Sequence, residues 1–188
     1  MIVVDGGSED ATRELAAGLC DRVVVAPRGR AAQMNAGARE ARGEVLVFLH
    51  ADTRLPFQVE NFIHDALKDH IWGRFDVQIE GRHPLLRVVA WSMNLRSRLT
   101  GIATGDQAIF VRREAFPGFP ELPLMEDVAF SQAMKRRSRP ACLRDKVTTS
   151  GRRWESRGMV RTILLMWYLR LLFFLGTSVE DLARRYER

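Results

Sequence analysis

The stretch VLVFLHADTRLP, residues 45–56, passes from an apolar run into His50, Ala51 and Asp52. An apolar run of this length predicts a buried strand that ends in a carboxylate. Such a carboxylate can bind Mg²⁺ or Mn²⁺, which prefer oxygen ligands and often bridge to substrate phosphates. Because side chains alternate along a strand, His50 should share the side of Asp52, either as a second ligand or as a cover over the rim.

The first part of the chain alternates between strand-like and helix-like segments. Residues 1–5, 22–27 and 44–52 read as apolar strands, and residues 11–19 and 30–41 read as helices. This alternation predicts an α/β fold with a mostly parallel sheet and helices on both faces. Ligands bind beyond the carboxyl ends of such strands. Asp5 should therefore lie at the same rim as Asp52, although an acid in this position is also a common turn former.

Composition limits the class of protein. The chain has 188 residues, which suits one domain, and its charge of +6 favours anionic partners without choosing among them. Scattered basic residues and the lack of a nucleic-acid motif argue against nucleic-acid binding. Two distant cysteines, and an acidic residue close to the start, predict a reduced, cytoplasmic protein. The apolar segment 159–176 contains the runs ILLMWYL and LLFFL, split by Arg170, which even when joined fall short of the roughly 18–20 apolar residues of a spanning helix. It should pack on the core or touch a partner or the inner face of a membrane.

The second half contains a pair of acids after a proline-rich loop. Glu126 and Asp127 should lie in the first turn of a helix that begins near Met125. The helix dipole there favours the ionised carboxylate that a general base requires. The alternative is that both are ordinary first-turn acids.

Several short motifs resemble family 2 glycosyltransferases, which have a GT-A fold with a Rossmann-type sheet. VVDGGSEDAT, GRAAQMNAG and GEVLVFLHADT are similar to the nucleotide-sugar half, and TGDQAIFVRREAF, LMEDVAFSQAMKRR and TTSGRRW to the acceptor half. Their order and spacing are more specific than any one of them. The nearest subgroup is the small glycosyltransferase-like proteins associated with radical-SAM enzymes and selenodomains. The resemblance divides one domain, 1–188, into a nucleotide-sugar half (1–56), an acceptor half (57–158) and C-terminal helices (159–188).

The resemblance implies roles for residues on the donor side. Asp5 would contact the base or ribose, Arg30 would lie near the nucleotide, and Asp52 would hold Mn²⁺ or Mg²⁺ on the diphosphate. Arg153 and Trp154 match the end of a Gln-x-x-Arg-Trp-like motif. The glutamine of that motif is replaced in this chain, so the match to the motif is incomplete.

On the acceptor side, the resemblance makes Asp127 the general base, with Glu126 beside it. The turn formed by Gly105, Asp106 and Gln107 would border the acceptor, although it also reads as a plain strand-entry turn. His50 stands where the family has the first acid of Asp-x-Asp, which implies weaker or more substrate-dependent metal binding.

The resemblance also implies a further strand and a Pro-x-x-Asn-Glu-like loop before Met1. Its absence predicts an upstream start, a shortened chain or a degenerate domain that self-associates through unpaired strand edges. The leading hypothesis is an inverting glycosyltransferase that acts by metal-assisted single displacement. The alternatives are a non-catalytic nucleotide- or sugar-binding remnant of the fold and a nucleotidyltransferase.

Overall fold

The structure is a computed structural model that describes residues 1–187, so Arg188 of the predicted C-terminal segment lies outside it. The regular elements, in chain order, are β1 (Ile2–Asp5), α1 (Thr12–Ala17), β2 (Arg22–Val25), α2 (Arg30–Glu40), β3 (Val45–Phe48), β4 (Thr53–Arg54), α3 (Val59–Ala66), β5 (Trp72–Glu80), α4 (Leu85–Thr100), β6 (Ile109–Arg112), α5 (Glu126–Arg137), β7 (Ala141–Ser150), α6 (Arg152–Arg157), α7 (Met159–Phe174) and α8 (Val179–Glu187). Short 3₁₀ turns at Gly105–Gln107 and Arg113–Ala115 flank β6.

The strands form two separate sheets. β1 pairs with β2 in parallel, and a five-stranded sheet has the order β3-β6-β5-β7-β4. In the larger sheet β5 and β7 are parallel, whereas β3–β6, β5–β6 and β4–β7 are antiparallel. The α/β class is confirmed. The sheet is more mixed than the alternation of the first half predicted, because strands from the second half insert in the opposite direction.

Helices cover both faces of the larger sheet. Alternate residues of β6 point to opposite sides: Phe110 packs with α3 and α4, whereas Ile109 and Val111 pack with α2 and α5. Trp72 and Phe130 meet edge to face in the second of these clusters, with ring centroids 6.0 Å apart. The period-two alternation therefore places one apolar layer on each face of the sheet.

Helix α2 connects the two sheets. Its Ala31 packs in the same cluster as Leu46 of β3. On β1, the Gln33 amide donates a hydrogen bond of 3.0 Å to the Val4 carbonyl. A Cβ at Gly37 would lie 3.0 Å from a Val4 methyl, so a glycine lets this helix approach β1 closely.

The strand predicted for residues 44–52 ends earlier than expected. β3 stops at Phe48, and His50 to Thr53 form a turn in which the Thr53 amide donates to the His50 carbonyl at 3.0 Å. Asp52 lies on this turn and is exposed. The alternation rule therefore does not relate His50 to Asp52, because neither residue belongs to a strand.

The apolar segment near the C-terminus forms α7, and one side of it packs on the core. Met159 and Ile163 join the cluster of α3 and α4, and Leu169 shares a cluster with Leu124, just before α5, and Val128 in its first turn. Much of the remaining apolar surface of α7 is exposed. Within residues 1–187, no helix is both long enough and apolar enough to cross a membrane.

Candidate active site

The centre of the candidate site is the acidic pair at the start of α5. Glu126 and Asp127 are only 2% and 8% exposed. The preceding residue, Met125, has a φ of 66°, a left-handed conformation that is unfavourable for a residue with a side chain. Strained backbone of this kind persists where the surrounding structure holds it, often next to functional groups. Here it turns the chain so that α5 begins with two buried carboxyl groups.

Arg30, the first residue of α2, forms a two-pronged ion pair with Glu126. Its Nε lies 2.8 Å from Oε1, and its Nη2 donates to Oε2 at 3.2 Å. Burial and the neighbouring Asp127 charge nevertheless raise the pKa of Glu126, against the effect of Arg30. Desolvation is the largest effect on the pKa of Glu126, and the helix-dipole argument from sequence omits it.

Asp127 is held by backbone amides. Its Oδ2 accepts a hydrogen bond of 3.0 Å from the Gly105 amide, and its Oδ1 accepts one of 2.7 Å from the Val128 amide. Both oxygens are thus fixed in orientation by one N–H group each. A carboxylate oxygen can accept more than one hydrogen bond, so the group retains capacity to take a proton from a ligand.

The turn at Gly105–Gln107 joins the acids to His50. Asp106 Oδ1 lies 3.3 Å from His50 Nδ1. A Cβ at Gly105 would come within 2.4 Å of His50 Nε2, so the ring lies directly on this glycine. Buried Gln107 completes a capping box with Thr104. The turn therefore has a specific structural role, which is to bring Asp127 and His50 together.

His50 and Asp106 shift each other's protonation. Burial opposes the charged form of His50, but the hydrogen bond and the charge of Asp106 outweigh it and raise the pKa of His50. Burial likewise disfavours the Asp106 carboxylate, yet His50, Arg30 and Arg153 together lower the pKa of Asp106. The two groups favour an ion pair, as expected for opposite charges at short range.

Asp5 lies apart from this cluster and acts as a turn former. Its Oδ2 accepts hydrogen bonds from the Gly7 and Ser8 amides at 3.0 and 2.9 Å, and its Oδ1 accepts one from the Ser8 hydroxyl. The Ser8 hydroxyl and amide are the main reasons why the pKa of Asp5 is lowered. The simpler of the two interpretations of Asp5 therefore describes its present contacts. A role in donor binding remains a prediction.

Arg153 and Trp154 lie on α6 and differ in their surroundings. The Arg153 guanidinium lies over the Tyr186 ring, 5.5 Å from its centroid, and its charge acts on Asp106. Trp154 is half-buried and packs against the core cluster of α3 and α4. A role of this partly exposed indole in donor binding remains a prediction.

The residues predicted to bind a metal fit that role only in part. Within residues 1–187 no group of three or more His, Cys, Asp or Glu residues is placed to hold a metal ion. The Asp52 carboxylate is exposed, whereas His50 Nδ1 faces Asp106 and Nε2 faces Gly105. One carboxylate together with substrate phosphates is a common arrangement for Mg²⁺. Asp52 fits such a site, and His50 in its present position does not.

Two arginines near Asp127 were not predicted from the sequence. The positive charges of Arg96 on α4 and Arg170 on α7 both interact with the Asp127 carboxylate. The available signal was Arg170 itself, a single charge between the apolar runs ILLMWYL and LLFFL. A charge in such a helix needs a polar environment, and here that environment is the acidic cluster.

Comparison with known proteins agrees with this geometry. The family model described as glycosyl transferase family 2 matches residues 1–116. No curated protein matches the chain. The solved structure of S. aureus TarS 1–349 in complex with UDP has a TM-score of 0.61 at 21% identity and covers 79% of this chain and 50% of that one. The complex of the same protein with UDP-GlcNAc gives 0.60 at 20% identity, with coverage of 79% and 48%.

A mycobacterial protein of known structure is also similar, with a TM-score of 0.54 at 17% identity and coverage of 79% and 54%. The chain thus spans about half the length of these structures, and at such identities the likeness shows the GT-A fold alone. The family model, by contrast, covers more than half of the 188 residues. This chain therefore belongs to glycosyl transferase family 2.

Proposed function

We propose that the chain transfers a sugar from a nucleotide-sugar donor to an acceptor hydroxyl, with inversion at the anomeric carbon. The observation that carries the proposal is the buried pair Glu126–Asp127, held by Arg30 from α2 and by the Gly105 amide. Its support from relatives is that TarS, which shares the fold, has been solved with UDP and with UDP-GlcNAc.

In the proposed reaction, the acceptor hydroxyl oxygen attacks the anomeric carbon from the face opposite the diphosphate. The bond from that carbon to the diphosphate oxygen breaks, and the leaving nucleoside diphosphate keeps the electron pair. Asp127 takes the hydroxyl proton, because its oxygens are fixed by backbone amides. Positioned proton transfer of this kind contributes roughly 10²- to 10⁴-fold in rate. Glu126, whose pKa is raised by burial, orients Arg30 toward the nucleotide side.

The diphosphate carries negative charge that increases as it leaves. Asp52, exposed on the turn after β3, would hold Mn²⁺ or Mg²⁺, which would neutralise part of that charge. Arg30 and Arg153 add fixed positive charge near Asp106. His50 supports the site by holding Asp106.

We also propose contact with an anionic membrane surface through α4 and α7. Leu86 of α4 and Met159 of α7 belong to the same apolar cluster, and both helices carry exposed apolar residues at helical spacing. The exposed residues are Val88, Trp91, Leu95 and Leu99 on α4, and Val160, Leu164, Trp167, Tyr168, Leu171 and Phe174 on α7. Tryptophan and tyrosine favour the lipid–water interface, and exposed arginines on the same helices suit anionic lipid.

Self-association through strand edges is a further proposal. Among residues 1–187, β1 pairs only with β2 and β3 only with β6. The carbonyls of Met1 and Asp5 accept hydrogen bonds from the β2 side, so the backbone of Val4 points to the free edge. There the Gln33 amide satisfies one carbonyl. An added strand from another copy would pair with the rest of this edge.

The test of the enzymatic proposal uses Asp127→Asn, with the exposed carboxylate of Asp65 changed in Asp65→Asn as the matched control. A panel of nucleotide sugars that includes UDP-GlcNAc is screened by thermal shift, and nucleotide release is then measured with the donor that binds. We expect Asp127→Asn to lower turnover roughly 10²- to 10⁴-fold with little change in UDP affinity. Equal turnover in both variants would refute the role of Asp127. Loss of UDP binding with unchanged turnover would assign Asp127 to the donor site.

A further inference from the structure

A small group of buried polar atoms lacks hydrogen-bond partners. Within the side chains that the structure describes, these atoms are Arg74 Nε, Arg96 Nε and Nη2, Ser97 Oγ and Arg170 Nε. All of them lie on β5, α4 or α7. A buried donor without a partner is costly, and more so when it carries a charge. The cost would be removed by a ligand with several negatively charged acceptor oxygens.

The three arginines are not equivalent. Arg74 donates to Asp76 and to the Asn94 carbonyl, so most of its guanidinium is satisfied. Arg98 also donates to Asp76, so this carboxylate is paired with two arginines. For Arg96 and Arg170 no ion pair with a carboxylate is found among the described residues. Both residues are only partly buried as a whole, although the unpaired nitrogen atoms themselves are buried.

The arginine pair interacts electrostatically with the proposed base. Burial and the neighbouring charges of Arg170 and Arg74 lower the pKa of Arg96 to about 10, while the Asp127 charge acts in the opposite direction. Burial likewise lowers the pKa of Arg170, which Asp127 and Asp106 partly offset. An anion bound between the two guanidinium groups would relieve their mutual repulsion.

The elements that carry the pair indicate which substrate it would meet. Arg30 reaches the acidic pair from α2, in the half that the family resemblance assigns to the nucleotide. The charges of Arg96 and Arg170 act on Asp127 from α4 and α7, outside that half. The outer sides of the same two helices carry the exposed apolar residues described above.

We infer that Arg96 and Arg170 bind an anionic group of the acceptor, a phosphate or a carboxylate, close to the hydroxyl that Asp127 deprotonates. The inference rests on the proposed function, because it assigns the substrate class of the same site. The guanidinium fork matches such anions through paired N–H···O bonds. The anion would position the acceptor, and Asp127 would remain the base.

The experiment titrates inorganic phosphate into the protein by calorimetry, with and without saturating UDP. The variants are Arg96→Gln and Arg170→Gln, and their matched controls are the exposed arginines of the same helices, Arg87→Gln and Arg161→Gln. We expect wild type and controls to bind phosphate together with UDP. Each test variant should lower the affinity for phosphate about tenfold or more, because a charge-assisted hydrogen bond is lost. The affinity for UDP should change less than about twofold.

Melting temperature separates binding from a structural role. Removing an unpaired buried charge should leave Arg96→Gln and Arg170→Gln at least as stable as wild type, and phosphate should raise the melting temperature of wild type but not of these variants. If a glutamine variant does not fold, the lysine variant at that position replaces it. It keeps the charge without the fork and should bind phosphate with intermediate affinity.

The outcomes that overturn the inference are specific. If the test variants weaken UDP and the UDP-loaded protein binds no phosphate, the pair serves the donor diphosphate instead. If all variants bind phosphate equally, the pair binds no anion. The titration without UDP measures phosphate binding by the arginine pair even if no nucleotide binds. Failure of the proposed function can therefore be distinguished from failure of this inference. Flotation with phosphatidylcholine vesicles, with and without phosphatidic acid, then distinguishes a lipid headgroup from a soluble phosphate.

Discussion

Gly105→Ala tests whether the turn at 105–107 holds the site together. The new methyl would lie 2.4 Å from His50 Nε2 and 2.6 Å from Cε1, where ordinary contacts begin at 3.4 Å. The ring or the turn must therefore move by about 1 Å, as the difference between these distances requires. Gly105 does not have a left-handed φ, so the clash is the only perturbation. Asp106 resists movement of the ring, because it lies 3.3 Å from Nδ1.

The magnitude follows from overpacking. Forcing an extra methyl into a filled space costs typically about 1–3 kcal/mol. For a chain of this size, each kcal/mol lowers the melting temperature by roughly 2–4 °C. The same movement displaces the Gly105 amide from Asp127, and a misplacement of about 1 Å near a reacting group can lower the rate about 10²-fold. The control is Gly18→Ala, whose new methyl would lie 3.9 Å from its nearest neighbour, the Leu15 carbonyl oxygen.

The assay is thermal and urea unfolding of a double-mutant cycle with His50→Ala. Removing the ring removes the clash, so Gly105→Ala should cost much less stability in the His50→Ala background than in wild type. Two results would refute the reasoning. One is a Gly105→Ala protein that has the same melting temperature as the Gly18→Ala control. The other is a cycle that is additive within about 0.5 kcal/mol, since contacting residues should be coupled.

Three other perturbations test separate parts of the site. UDP should bind more tightly with Mn²⁺ than without it, and Asp52→Asn should abolish that difference in calorimetry; equal affinity in all four titrations would end the metal proposal. Burial raises the pKa of Glu126, so the folded chain holds this proton more tightly than the unfolded chain does. Relative to Glu126→Gln, the free energy of unfolding of wild type should therefore be highest below the ordinary carboxyl pKa. This free energy should fall as the pH rises through the raised pKa of Glu126, which urea unfolding can measure. A difference between wild type and Glu126→Gln that does not depend on pH would contradict this. Trp167→Ser should reduce flotation with anionic vesicles, whereas Leu19→Ser, which changes an exposed leucine after α1, should not; equal flotation of both would assign the exposed face to another partner.

The sequence predicted those parts of the fold that depend on local pattern. The apolar runs became strands, and the first-turn acids Glu126 and Asp127 begin α5 as predicted. The end of β3 was not predictable from its own residues. Thr53 leaves the turn to pair with Thr149 of β7, with their hydroxyl oxygens 3.0 Å apart. A long-range pairing of this kind overrides the local strand pattern, and it moves Asp52 into a turn.

The sequence identified several residues of the candidate site but not the contacts between them. The family resemblance selected Arg30 and Glu126 separately, but their ion pair depends on the packing of α2 beside α5. The place of Arg170 depends on how α7 docks, since Leu169 beside it packs on the start of α5. The raised pKa of Glu126 likewise reflects tertiary burial, which a helix-dipole argument based on sequence position omits.

The attachment of β1 and β2 through α2 has a consequence for ligand affinity. In the described part of the chain, these strands share no ladder hydrogen bonds with the larger sheet, so they can open as a cooperative unit of their own. In the proposed function, only molecules with this unit closed would present a complete nucleotide side, and the apparent dissociation constant would rise as the closed fraction falls. Donor affinity would then depend partly on the close approach of Gly37 to Val4, where neither residue needs to touch the nucleotide. Substitutions along this helix–strand seam would tune affinity by changing a population, while the chemistry of the site stayed the same.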